Sequence, residues 1–228
     1  MNVNGRDYSA EDILKQVFRR NTKTGKVFPV DIMDVDTSIQ FEGFDNSMVN
    51  TLTYIEEHSN VRDWQSKLSK EQRRLIHQYT ANPSSLTAED KAIIHNSLLS
   101  FKLNSNMETI HGSSNTSLLG NENLSVDDIN ERAGQIRELS RLLSSGCRPL
   151  KSTEFNEYGR GVDFIMQIPK NKGFGAFISN ISTNGGAELE YLINSGICYQ
   201  IIGARKGKAK ECPMIVTLRL LDFKENIK

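Results

Sequence analysis

Two acids stand one residue apart in Glu188-Leu189-Glu190, at the mouth of the otherwise apolar run Tyr191-Leu192-Ile193. On a strand, side chains alternate, so both carboxylates would point to one face. Like charges this close repel and cost stability. That face must be open to water or built to meet something. The bland explanation is a solvated edge strand whose acids discourage further pairing. Three neighbours argue for chemistry instead. A small, flexible Ser/Thr/Asn/Gly loop, residues 179–187, precedes the acids and suits close approach of another molecule. Aliphatic runs, Gly175–Ile178 and Ile197–Ile202, flank them, so the acids interrupt a core element. Upstream, Lys151-Ser152-Thr153-Glu154 supplies hydroxyls before the next strand region. A carboxylate pair with hydroxyl support can face a cationic transition state or activate a nucleophile.

The elements that must position these groups fall into two blocks, helices first and strands afterwards. Residues 10–19 carry a helical stripe of Ala10, Ile13, Leu14, Val17 and Phe18. Helices are also predicted over 47–57, 70–80 and 88–99. Ser69 with Gln72 forms a capping-box signature for the second of these, and Thr87 is an N-cap for the third. The Ser/Asn/Gly-rich stretch 104–125 is expected to be the most mobile internal segment and to stay out of the core. Ser125 then caps a helix predicted over 126–144, with Ile129, Ala133, Ile136, Leu139 and Leu143 on one face and Gly146 as its stop. Val162–Ile168, Gly175–Ile178, Glu190–Leu192, Tyr199–Ile202 and Met214–Leu221 read as strands. This order argues for an α+β fold: an N-terminal helical lobe followed by a mixed, mainly antiparallel β core. The expected division is an N-terminal extension over 1–59 and a domain over 60–228, with its helical lobe at 60–146 and its β core at 147–224.

Composition narrows the classes. The 228 residues carry 28 basic and 28 acidic side chains, and no basic run points to nucleic acid. Three cysteines, Cys147, Cys198 and Cys212, have neither disulfide-frame nor zinc spacing, and the four histidines are scattered without metal spacing. No apolar run is long enough to span a membrane. The polar start "MNVNGRDYSAEDILKQ" is not a secretory signal, so synthesis in the cytoplasm is expected, with export by a signal-independent route into a host or target cell left open. Trp64 reads as a packing anchor of the helical lobe.

The run "FIMQIPKNKGFGAFISNISTNGGAELEYLINSGICYQI" resembles the C-terminal half of the mono-ADP-ribosyltransferases, specifically the clostridial binary actin-modifying toxins and the Rho-modifying exoenzymes. The matching segments are Ile168-Pro169-Lys170, Gly175-Ala176-Phe177-Ile178, Glu188-Leu189-Glu190, and Leu192-Ile193 with Gly196, Tyr199 and Ile201. A second match, "DWQSKLSKEQRRLIHQYT" over 63–80, is similar to the family's helical opening. The resemblance covers roughly residues 60–222 in the family's order.

It implies NAD as substrate, no metal, and a monomer acting on a protein target of the actin or small-GTPase kind, without nucleic acid or membrane. It also implies residue roles. Glu190 would hold the ribose hydroxyl and face the charge that develops as nicotinamide leaves. Glu188 would orient an acceptor arginine. Ser152, from Ser152-Thr153-Glu154 at the Ser-Thr-Ser position, would hold Glu190. Arg160 and Tyr79 match cofactor-contacting positions, and Arg148 is the candidate for the signature arginine. In the family, a strand and a helical segment separate that arginine from Ser-Thr-Ser; here the predicted helix 126–144 leaves only Arg148 between. The alternative implied by that departure is a catalytically degenerate module that binds a protein partner.

Overall fold

Two capped helices and their neighbour build one wall of the molecule. The computed structural model describes residues 55–147, 161–183, 189–207 and 214–227, with the backbone of 2–3, 6–7, 16–20 and 27–31. Helices α1 (Val61–Lys67), α2 (Lys70–Ala81) and α3 (Ala88–Leu98) follow one another. Ser69 Oγ accepts from the Gln72 amide at 3.1 Å while Gln72 Oε1 accepts from the Ser69 amide at 2.8 Å. Thr87 and Asp90 make the same reciprocal pair for α3. Each box satisfies two amides that a helix start would otherwise leave open. Leu75, Ile76, Ile94 and Leu98 are buried, and Trp64 joins them at the helix–sheet boundary.

The strands of the main sheet are β5 (Met107–Ser113), β6 (Ile136–Leu139), β7 (Leu143–Gly146), β8 (Val162–Ile168), β9 (Gly175–Phe177), β10 (Glu190–Ile193), β11 (Ile197–Lys206) and β12 (Met214–Phe223). Four short strands precede them, β1 (Asn2–Val3) with β2 (Arg6–Asp7) and β3 (Gln16–Arg20) with β4 (Val27–Asp31). Spatial order in the main sheet is β6-β11-β12-β8-β5-β7-β10-β9. Among the described residues, β8–β12 is the one parallel pairing in it. The result is the expected α+β fold with a mixed, mainly antiparallel sheet. At β5–β7 the ladder narrows to a single pair, Ile110 with Gly146. A sheet held at one point can splay there, and that joint lies beside Glu190, which pairs with Gly146 on the other side.

Close approach at the far edge is set by glycine. A Cβ on Gly175 would collide with the Leu192 carbonyl oxygen, lie 2.6 Å from Tyr191 Cε1 and 3.0 Å from Ile193 Cα. Two of those three neighbours are backbone and cannot swing away. Gly175→Ala is therefore expected to cost about 1–3 kcal/mol through overpacking, measured as a lower urea midpoint at unchanged slope. An unchanged midpoint would show that β9 can shift freely on β10.

Three sequence expectations are corrected. The helix over 126–144 is one short helix, α4 (Val126–Asn130), followed by β6 and β7. Ser125 caps α4 as expected, with Asp128 completing the box. Gly134 then turns with φ 88°, and its amide donates to the Ile201 carbonyl at 2.8 Å, while the Ile201 amide donates to Gln135 at 3.0 Å. Strand β11 captures the backbone that the apolar spacing assigned to a helix, and Gly146 closes a strand instead of stopping a helix.

The stretch 104–125 is not a segment outside the core. It carries β5 between β8 and β7, and Met107, Thr109, Ile110, Leu119 and Leu124 are buried. Its polar residues satisfy tight turns: Thr116 Oγ1 donates to the Asn121 carbonyl at 2.7 Å and accepts from the Leu124 amide at 2.9 Å. The last four residues of the helix predicted over 10–19 belong to β3, which pairs with β4. Val17, Phe18, Val27, Phe28 and Val30 supply the β-branched and aromatic content that favours strands. Of the helix predicted over 47–57, residues 55–57 are helical and the rest lies outside the described residues.

Candidate active site

Strands β7 and β10 run antiparallel, with Glu190 opposite Gly146 and Leu192 opposite Ser144. Glu190 and Ser144 are thus diagonal neighbours on one face, within reach of each other's side chains. Ser144 Oγ donates to Glu190 Oε1 at 2.5 Å. The Glu190 amide donates to Ser179 Oγ at 2.5 Å, and its carbonyl accepts from the Ile178 amide at 2.9 Å. Glu190 is only 4% exposed. A carboxylate withdrawn this far from water is costly unless it is hydrogen-bonded, and here backbone and side chain are both held.

The expected sharing of one face by Glu188 and Glu190 lies outside the described residues, since Glu188 is not among them. Strand β10 begins at Glu190, and Leu189 has φ 45°, a left-handed conformation unusual for a bulky residue. Leu189 is fully buried and its carbonyl accepts from the Cys147 amide at 2.9 Å, which fixes the turn. Such backbone outliers persist where the surroundings over-determine them, often at functional sites.

The C-terminal turn of α2 reaches both walls of this site. Tyr79 Oη donates to the Leu142 carbonyl, just before β7, at 3.0 Å. Burial pushes the Tyr79 phenol up to about 12, with the negative charge of Glu190 adding to the shift and Arg141 opposing it. The phenol therefore stays protonated at neutral pH and keeps donating. One residue on, Thr80 Oγ1 accepts from the Thr183 amide at 2.8 Å, and Thr183 Oγ1 donates to the His77 carbonyl at 3.0 Å. These bonds pin the start of the loop that leads to the acids.

Strand β5 contributes His111, whose Nδ1 lies 2.8 Å from the Ser144 carbonyl oxygen and whose ring stacks on Phe164 at 6.3 Å. Burial lowers the pKa of this imidazole; the bond to Ser144 works against that and the Arg141 charge adds to it. The Cys147 thiol is pushed far up by burial and by Glu190, so it is inert as a nucleophile here.

Of the sequence-predicted site residues, the structure brings Glu190 and Tyr79 to one place. Glu188, Ser152, Arg148 and Arg160 lie outside the described residues. Sequence reasoning missed Ser144 and His111. The signal for Ser144 was Leu142-Leu143-Ser144-Ser145, apolar residues running into hydroxyls ahead of a glycine, but the helical spacing from Ile129 to Leu143 masked it. His111 sat in a segment whose Ser/Asn/Gly content read as loop. Among the described residues, no group of His, Cys, Asp and Glu could hold a metal ion, and no helix is long and apolar enough to cross a membrane.

This arrangement, a helical lobe laid on a mixed, mainly antiparallel sheet, is a fold the chain shares with solved ADP-ribosyltransferase toxins. Among solved structures, the chain is similar to the C3 exoenzyme of Clostridium limosum, at 16% identity and a TM-score of 0.64 over 81% of this chain and 98% of that one. It is also similar to Plx2a, an ADP-ribosyltransferase toxin from Paenibacillus larvae, at 17% identity and a TM-score of 0.62 over 77% and 96%. C3stau2 from S. aureus, solved with NAD, aligns at 15% identity and a TM-score of 0.61 over 80% and 99%. No protein-family model matches the sequence, and no curated protein matches it.

Proposed function

We propose that this chain is an NAD-dependent mono-ADP-ribosyltransferase that modifies a protein, on arginine, as a toxin or effector. The observation that carries it is the hydrogen bond from Ser144 Oγ to the buried Glu190 carboxylate. A carboxylate fixed in advance and shielded from water stabilises a developing positive charge more than it stabilises a neutral ground state. Loss of nicotinamide leaves such a charge on the ribose. Glu190 faces it and accepts from a ribose hydroxyl, while Ser144 holds Glu190. Ser144 thus takes the role that the resemblance gave to Ser152.

With Ser144 in that role, the strand and helical segment that the resemblance expects have room ahead of the serine. Strand β5, helix α4 and strand β6 precede the serine. Glu188 orients the incoming guanidinium, a group that otherwise stays cationic. Its identity as glutamate supports arginine as acceptor, because the family's members with glutamine there modify asparagine. Loop 179–187, pinned through Thr183, meets the protein target, an actin or small GTPase on the family pattern. Residues of this chain also fit NAD by charge: Arg141 places a positive field beside Tyr79 and His111, suited to a pyrophosphate. The second reading, a degenerate module of the same fold, is favoured by one observation: the side chain that β5 sets against Ser144 is a histidine, His111, and not an arginine.

Purified protein with labelled NAD decides between them. Wild type should hydrolyse NAD and label itself or an added arginine-rich polypeptide. Ser144→Ala should lose about ten- to a hundredfold in kcat, since Glu190 would be less firmly placed, with little change in thermal midpoint. Absence of any NAD turnover in the wild type would leave the binding module as the function.

A further inference from the structure

We infer that His111 is a positioning residue of the carboxylate site, an imidazole that donates from Nδ1 to the Ser144 carbonyl and thereby aims Ser144 Oγ at Glu190. The inference rests on the reading of Ser144 and Glu190 given above. A carbonyl oxygen can only accept, so the 2.8 Å contact places the proton on Nδ1. The same residue of β7 whose backbone accepts from His111 donates its hydroxyl to Glu190 at 2.5 Å. A relay of two hydrogen bonds therefore runs across three neighbouring strands, from β5 through β7 to β10.

Location gives this relay its weight. Strands β5 and β7 share one residue pair, Ile110 with Gly146, immediately beside His111. Strand β7 is laddered to β10 over four pairs, but a single pair leaves this β7–β10 unit weakly fixed against β5. The His111 bond is a second tie at that joint. Its ring is held in turn by Phe164, stacked at an interplanar angle of 29° on the neighbouring strand β8. Tyr79 supplies a third tie, from α2, through the Leu142 carbonyl at 3.0 Å. The backbone at and just before Ser144 is thus tied both to β5 and to α2, which sets the position from which its hydroxyl meets Glu190. Burial and the Arg141 charge, which lower the imidazole pKa, favour the neutral form that this tautomer describes.

The side-chain nitrogens separate this role from direct contact with substrate. Asparagine can place an amide nitrogen near the position of Nδ1, and glutamine near that of Nε2. His111→Asn should keep kcat for NAD hydrolysis within about threefold of wild type. His111→Gln and His111→Phe should each lose about tenfold or more in kcat with KM for NAD unchanged, as small misplacements of catalytic groups do. Phenylalanine preserves the stack on Phe164, so its defect isolates the lost donor. The reverse order, glutamine active and asparagine inactive, would overturn the inference in favour of Nε2 acting on the substrate. Equal activity in all three would overturn it outright.

Two measurements need no turnover. Nitrogen-15 spectra of the wild type should show the Nδ1–H tautomer of His111, and an Nε2–H tautomer would refute the relay. The Glu190 carboxyl carbon resonance should move in His111→Phe and return in His111→Asn. An unmoved resonance would sink the inference whatever the wild type does with NAD, whereas a wild type without turnover but with these spectral changes would fail the proposed function alone.

Discussion

Glu190→Gln is expected to lower both ADP-ribosyl transfer and NAD hydrolysis by about 10²–10³-fold, the loss seen when one preorganised electrostatic partner is removed. Glutamine keeps the side chain's size, can still accept from Ser144 Oγ, and leaves the amide bond to Ser179 untouched. The change is therefore in charge, and NAD affinity and unfolding midpoint should stay close to wild type. Glu188→Gln should differ. Transfer to arginine falls, but slow NAD hydrolysis persists, because water needs no group to orient a guanidinium. Initial rates of both reactions in both variants check the division. Equal loss of both activities in both variants would show that the two acids do not have separate tasks.

Trp64→Ala should destabilise the fold by about 3–5 kcal/mol. The side chain is 2% exposed, and its Nε1 donates to the Ser97 carbonyl at 2.8 Å. It meets Phe101 edge-on at 5.6 Å, and Phe101 meets Tyr191 at 6.0 Å. Truncation opens a cavity under α1, takes the indole donor from the Ser97 carbonyl, which keeps the Ser100 hydroxyl, and unsupports the ring beside Glu190. Trp64→Phe should cost less, since it keeps most of the volume and loses the donor. Urea unfolding followed by circular dichroism is the measurement, because Trp64 is the chain's one tryptophan and its removal abolishes that fluorescence. A cost under about 1 kcal/mol would mean the helical lobe is not anchored through this residue.

What the sequence determined by itself are features whose causes are local. Ser69 with Gln72, Thr87 with Asp90 and Ser125 with Asp128 start helices where they stand, because a cap and its partner lie three residues apart and need nothing else. The strands β8 to β12 were legible because β-branched and aromatic runs are bounded by turn residues. Glu190 was legible because a charge inside an apolar run is costly and calls for a reason. Tertiary structure alone decided the middle of the chain. Apolar spacing from Ile129 to Leu143 fits a helix, yet the Gly134 amide and the Gln135 carbonyl pair with Ile201, far away in sequence. Such non-local hydrogen bonds leave no periodic mark on the segment that accepts them. The same holds for the site. Ser144 and Glu190 are 46 residues apart, His111 and Ser144 are 33 apart, and only the pairing of β5, β7 and β10 brings a histidine, a serine and a glutamate into one line.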